Sequence, residues 1–185
     1  WLIIIGAVAY IYNNPSARPA NDIINATSTP MALTLMSPVF RENESIPARF
    51  TCDGRNMSPP LSWSGMPEGT KSFVLIMDDP DVPKQLKPDG VFDHWTLFNI
   101  SPSTSEIPEG GTVGTAGTNG AGKNQYTGPC PSPQYEPSEH RYFFKLYALD
   151  IELPLTAGAS KAEVLAAMER HILAQAELMG KYKRQ

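Results

Sequence analysis

Five consecutive apolar residues, Phe73-Val74-Leu75-Ile76-Met77, run straight into Asp78-Asp79-Pro80-Asp81-Val82-Pro83. An apolar run of this length, with no polar residue at every second place and turn formers at its end, reads as a β-strand buried on both faces. The acids and prolines then stop it abruptly. Proline locks φ and brings no amide donor, so a hydrogen-bonded ladder cannot pass through Pro80 and Pro83. A strand hidden on both faces needs other elements packed above and below it.

The rest of the chain supports such a β-rich body. Its 185 residues suffice for one domain with a core, and 41% apolar against 18% charged residues suits a folded chain. Eighteen prolines and fourteen glycines favour short strands and many loops over a helical bundle. Further strands are expected in 31–40, 48–54, 93–100 and 141–150, the last with Phe143, Leu146 and Leu149 in the core. Residues 109–128 are glycine-rich without periodicity and read as one long irregular loop. One helix is expected near the C-terminus. Ser160 and Glu163 form a capping box, Leu165, Met168, Ile172, Ala176 and Met179 make an apolar face, and Gly180 ends it. The order of elements predicts a mainly β protein: an antiparallel β-sandwich with a peripheral C-terminal helix.

The net charge is −4 and no basic stripe stands out, which argues against nucleic acid and against attraction to an anionic membrane surface. Residues 1–12, "WLIIIGAVAYIY", are apolar but too short to span a bilayer. They read first as the end of a membrane anchor, then as a signal-segment core or a buried element of the domain. Residues 13–31 are a polar linker, and the domain occupies 32–185. This arrangement places the domain outside the cytoplasm, in the periplasm or at the cell surface. Cys52 and Cys130 are then either one disulfide or two free thiols; neither lies in a CxxC pair, so a zinc site is not expected.

Strand ends carry the residues with chemistry. Asp78, Asp79 and Asp81 follow the buried run, His94 opens the strand 93–100, and His140 and Tyr142 open the strand 141–150. If these ends meet, carboxylates, imidazoles and a phenol share a small pocket floored by aromatic residues such as Trp95, suited to a phosphate or other oxyanion. The plainer alternatives are an Asx-type turn at 78–81 and histidines satisfied individually. His171 reads as a surface position in mid-helix. The spacing of Asp79, Asp81, His94 and His140 is no metal signature, and no cofactor is implied. No Gly-x-Ser-x-Gly, phosphate-loop or dinucleotide motif is present. Cys130 with His140 and Asp79 can be drawn as a thiol triad, but Pro129 and Pro131 keep Cys130 from a helix start.

Taken in order, "FTCDGRNMSPPLSW" (50–63), "DDPDVP" (78–83), "DHWTLFNI" (93–100), "GPCPSP" (128–133) and "HRYFFKLYALD" (140–150) resemble the bacterial, Raf-kinase-inhibitor-like branch of the phosphatidylethanolamine-binding protein family. The resemblance runs from about residue 32 to residue 184. It implies a two-sheet sandwich with an anion pocket at one end, lined by Asp79, Asp81, His94, Gly128, Pro129, His140 and Tyr142. It further implies that the acids orient the histidines or accept from an ammonium group. His94, His140 and Tyr142 would donate to a phosphate-bearing ligand: a phosphoethanolamine-like headgroup or a phosphorylated side chain. The chain departs from the pattern at Ser132, which stands where the family has a second proline, and in 84–92, which lengthens the link before His94. The expected function is a non-enzymatic binding protein held at a membrane by its N-terminal segment. Two alternatives remain: an inhibitor of a kinase or hydrolase acting by protein contact, and a weak hydrolase using the His/Asp cluster.

Overall fold

The computed structural model describes residues 32–185, so the anchor and linker readings of 1–31 lie outside the described residues. In chain order come β1 (Thr34–Met36), a 3-10 turn (Ala48–Phe50), β2 (Leu61–Ser64), β3 (Ser72–Asp79) and β4 (Phe92–Ile100). They are followed by β5 (Glu106–Ile107), β6 (Thr115–Ala116), β7 (Glu139–Leu149), α1 (Lys161–Met168) and β8 (Ile172–Lys183). The strands form two sheets, ordered β1-β2-β5 and β6-β4-β3-β7-β8, and every pairing between them is antiparallel.

All eight residues of β3 are buried. Phe73, Leu75 and Met77 face the small sheet and pack with Leu35, Leu61 and Trp63. Val74 and Ile76 face the other way, against Phe98, Leu149, Leu153 and the α1 residues Val164 and Met168. The uninterrupted apolar run is thus a central strand with a sheet on one side and a helix on the other. Burying each such side chain fully contributes about 1.5–3 kcal/mol. In β7 the alternation buries Tyr142, Phe144, Leu146 and Ala148 on the main core face, and Leu149 joins the cluster under α1. Phe143, expected in the core, points outward instead and lies half-buried beneath the cations of Arg141 and Lys145, 5.6 and 5.5 Å from its ring centroid.

Two expectations are corrected. Residues 48–54 do not form a strand; after Pro47 the chain makes the 3-10 turn and further turns through Gly54. The helix does begin with the capping box: Glu163 N donates to Ser160 Oγ at 3.3 Å and Ser160 N to Glu163 Oε2 at 2.8 Å. It ends at Met168, however, and residues 172–183 become β8, paired with β7 along its length. The tail fits both periods, because Ala174, Ala176, Leu178 and Tyr182 also alternate toward the core. Tertiary pairing with a long neighbouring strand decides between them. His171 lies in the turn before β8, half-exposed, with Nδ1 2.8 Å from Asp150 Oδ1.

Gly180 accordingly caps no helix. It sits opposite Tyr142, where a Cβ would lie 2.6 Å from Ile46 Cγ1 and 2.9 Å from Phe40 Cε2. Gly180→Ala is expected to destabilise the domain by about 1–3 kcal/mol through overpacking. An unchanged urea midpoint would show that the core has room there.

The segment preceding the 3-10 turn runs along the outer edge of β8. Asn43 N donates to Met179 O, Lys181 N to Glu44 O and Ile46 N to Lys181 O, each at 2.8 Å. Among the described residues no helix is long and apolar enough to cross a membrane.

Candidate functional site

The strand order explains why the polar strand ends meet. β3 lies between β4 and β7 and runs antiparallel to both, so its C-terminal end sits beside their N-terminal ends. In register, Asp79 faces Phe92, and Asp78 faces Asp93 on one side and Phe143 on the other. Neighbouring residues of a strand point to opposite faces. Asp78 therefore leaves the cavity and pairs with Lys145 at 3.0 Å and Lys161 at 3.6 Å, while Asp79 turns into it.

A cavity of about 260 Å³ opens here, with Asp79, His94, Gly128 and His140 in its wall. Asp79 is buried and both its oxygens are engaged: Oδ2 accepts from His140 Nδ1 at 2.7 Å and Oδ1 from Asp81 N at 2.8 Å. With Nδ1 donating, His140 Nε2 becomes the free end of the ring, and this buried nitrogen completes no hydrogen bond. Burial works to lower the His140 pKa. The hydrogen bond and charge of Asp79, with smaller effects from Asp81 and the Pro137 carbonyl, outweigh it and leave the pKa raised.

His94 behaves oppositely. Its Nδ1 donates to Thr127 O at 2.6 Å, while Thr127 N donates back to His94 O at 3.0 Å. Burial lowers its pKa against the pull of the Thr127 carbonyl and nearby acids, so the ring is neutral at neutral pH. Its Nε2 then presents a lone pair, 4.0 Å from Asp79 Oδ2. Phe92 and Tyr142 pack edge-on against this ring, with centroids at 4.8 and 5.2 Å.

The remaining residues expected here fall into a supporting layer. Asp81 is outside the cavity lining; it takes Arg141 Nη2 and Nε at 2.7 and 2.8 Å, and Arg141 N at 2.9 Å. The Arg141 guanidinium holds the Asp81 carboxyl below the usual carboxylate range and ties the 80–83 turn to β7. Tyr142 is fully buried, stacked on His140 at 6.4 Å, and does not line the cavity. Burial pushes its phenol pKa far up, and its hydroxyl has no partner among the described residues. Trp95 is a core residue packed on Tyr126.

The loop 127–132 forms the facing wall. Gly128 N donates to Asn56 Oδ1 at 2.7 Å, and a Cβ at Gly128 would run into the Phe50 carbonyl, so only glycine fits. Buried Pro129 accepts from Cys52 N at 3.0 Å, behind the wall. Cys130 lines the cavity and is joined to Cys52, their Cα atoms 5.4 Å apart. This settles the choice between disulfide and thiols, and it removes the free thiol that a catalytic triad would need.

Sequence reasoning missed Val82, Leu86 and Phe92 in the cavity's apolar rim, which Pro83 and Pro131 complete, with Thr127 and Ser132 as its polar members. The unusual 84–92 stretch was the signal, since Leu86 stands among lysines and prolines with no periodicity to place it. Among the described residues, no group of three or more His, Cys, Asp or Glu side chains is arranged to hold a metal ion.

Comparison with known proteins agrees with this architecture. The family model described as phosphatidylethanolamine-binding protein matches residues 36–183. The UPF0098 protein of Methanothermobacter thermautotrophicus is 46% identical over 159 residues, covering 82% of this chain and 99% of its own. The crystal structure of a phosphatidylethanolamine-binding protein homolog, CT736 from Chlamydia trachomatis, is 42% identical and superposes with a TM-score of 0.79, covering 83% of this chain and 99% of that one. YbcL of Escherichia coli, described as a member of the mammalian family, is 29% identical with a TM-score of 0.74 over 84% of this chain and all of its own. A β-sandwich with paired histidines at one end, matched over nearly all its described length, places the chain in the phosphatidylethanolamine-binding protein family.

Proposed function

We propose that the cavity binds the phosphate group of a small phosphorylated ligand and that the protein acts by binding rather than by catalysis. One observation carries this reading: two buried imidazoles converge on one cavity, each fixed at Nδ1, and His140 Nε2 is left without a partner. Leaving a buried donor unpaired costs about 1–3 kcal/mol. An oxyanion oxygen supplies the missing acceptor and meets a ring that Asp79 already biases toward the cation. Asp79 acts as a positioning residue, and Arg141 and Asp81 hold the turn that carries it. The disulfide at Cys130 supports the non-catalytic reading. The same disulfide supports placing the domain in an oxidising compartment, outside the cytoplasm.

The two histidines take different parts. Protonated His140 donates to the anion. Neutral His94 presents an acceptor, so it either takes up a proton to become a second donor or accepts the ligand's own P–OH. Either way the complex holds a proton that His94 and a phosphate dianion lacked when apart. In sign, the His94 pKa is lowered in the free protein and rises beside an anion. Binding between those two values takes up a proton, and affinity for the dianion strengthens as pH falls toward the lower one.

The test is a titration of the protein with inorganic phosphate, watching the imidazole resonances by NMR. His94 and His140 are expected to shift together and saturate while His171 stays still. If none moves at millimolar phosphate, the pocket assignment is wrong. Calorimetry at pH 7.5 in two buffers of different ionisation enthalpy is expected to show net proton uptake on phosphate binding. Equal heats would contradict the role given to His94.

A further inference from the structure

We infer that the pocket selects phosphomonoesters whose organic group is compact and apolar, aryl above alkyl, over those that end in an ammonium group. This rests on the phosphate reading and adds to it what the rest of the ligand must be.

The carboxylates decide the first half. An ammonium group needs a carboxylate to accept from it, and both candidates already hold partners. Asp79 gives Oδ2 to His140 and Oδ1 to Asp81 N. Asp81 gives both oxygens to Arg141, three hydrogen bonds in all, and stands outside the cavity lining. The cation nearest the phosphate seat is His140 itself, which repels a second positive charge. An ammonium group brought beside these rings would lose water without gaining an unpaired carboxylate. Asp89, in the neighbouring loop, is paired with Lys87 at 2.6 Å.

The rim decides the second half. Around the histidines the apolar wall is Val82, Pro83, Leu86, Phe92 and Pro131, with Thr127 and Ser132 as its polar members. Leu86 is 54% exposed in the unliganded protein, yet its position is fixed, because Leu86 N and Lys87 N both donate to Pro83 O, at 2.8 and 3.1 Å. A rigidly presented leucine at the mouth of a cavity is apolar surface awaiting cover. A ligand ring that removes it from water contributes in proportion to the area covered. The cavity, about 260 Å³, lies below the range for drug-sized ligands, leaving room for a phosphate and one small substituent.

The experiment measures dissociation constants of the full chain for four probes: inorganic phosphate, ethyl phosphate, phosphoethanolamine and phenyl phosphate. Ethyl phosphate and phosphoethanolamine differ only by the ammonium group. Phenyl phosphate is expected to bind about tenfold or more tighter than phosphoethanolamine, with ethyl phosphate between them. In Leu86→Ser the ratio of phenyl phosphate to inorganic phosphate affinity is expected to fall severalfold. Phosphoethanolamine binding as tightly as ethyl phosphate would overturn the inference and leave the phosphate site standing. Phenyl phosphate binding no tighter than inorganic phosphate would do the same. If no probe binds, inorganic phosphate included, the phosphate reading falls and takes this one with it.

Discussion

Reducing the Cys52–Cys130 bond, or replacing both cysteines by serine, is expected to cost the domain about 4 kcal/mol of stability, the loss of loop-closure entropy for a cross-link of this span. The two residues are 78 apart in sequence, so the bond closes a loop holding half of the described domain, β2 to β6 included. Both cysteines are exposed, which leaves the bond open to a small dithiol. Urea unfolding with and without reductant measures the difference, and coincident curves would show that the cross-link does not constrain the unfolded chain. The bond also anchors the 128–132 wall of the cavity, so the reduced protein is expected to bind phosphate more weakly at temperatures where it remains folded.

The largest effect on binding is expected at His140. His140→Ala removes the cationic donor, a charge-assisted hydrogen bond worth about 1.5–3 kcal/mol, and should weaken phosphate binding about 10- to 150-fold. The same change leaves Asp79 as a buried carboxylate without its main partner, so the variant is also expected to lose stability. His140→Gln separates the two effects. Its amide can still donate to Asp79 while the ring and its charge are gone, so folding should largely recover and binding should not. A glutamine variant with parental phosphate affinity would show that the imidazole is structural.

What the sequence disclosed follows from how local each signal is. β3 was legible because its five-residue apolar run has one physical meaning, burial on both faces, and Asp79-Pro80 ends it in the chain itself. The meeting of Asp79, His94 and His140 was legible only as a condition, since it depends on β3 lying between β4 and β7. The five ordered motifs supplied that order through resemblance. Residues 172–183 were misread because Ile172, Ala176 and Met179 satisfy a helical period while Ala174, Ala176, Leu178 and Tyr182 satisfy a strand's. Nothing within the segment breaks the tie; the ladder with β7 does. The split of labour among the site residues was also hidden. Asp81 and Tyr142 are polar residues beside the pocket that serve it indirectly, one through Arg141 and the other by packing on both imidazoles. Leu86 and Phe92, which shape the mouth, carry no polar group, so only the unusual 84–92 stretch around them pointed there.

The path of residues 43–46 along β8 has a consequence for the protein in company. β8 is the outermost strand of the larger sheet and, at twelve residues, its longest. An outermost strand with open amides and carbonyls is a template on which other chains can add, the usual route to aggregation. Asn43, Glu44 and Ile46 occupy those groups at Met179 and Lys181, and Glu42 adds a carboxylate to Met179 N at 2.8 Å. The domain thus closes the Met179–Lys181 stretch of its longest open border with its own chain, and the charged side chains of Glu42, Glu44 and Lys181 discourage a stranger from replacing it.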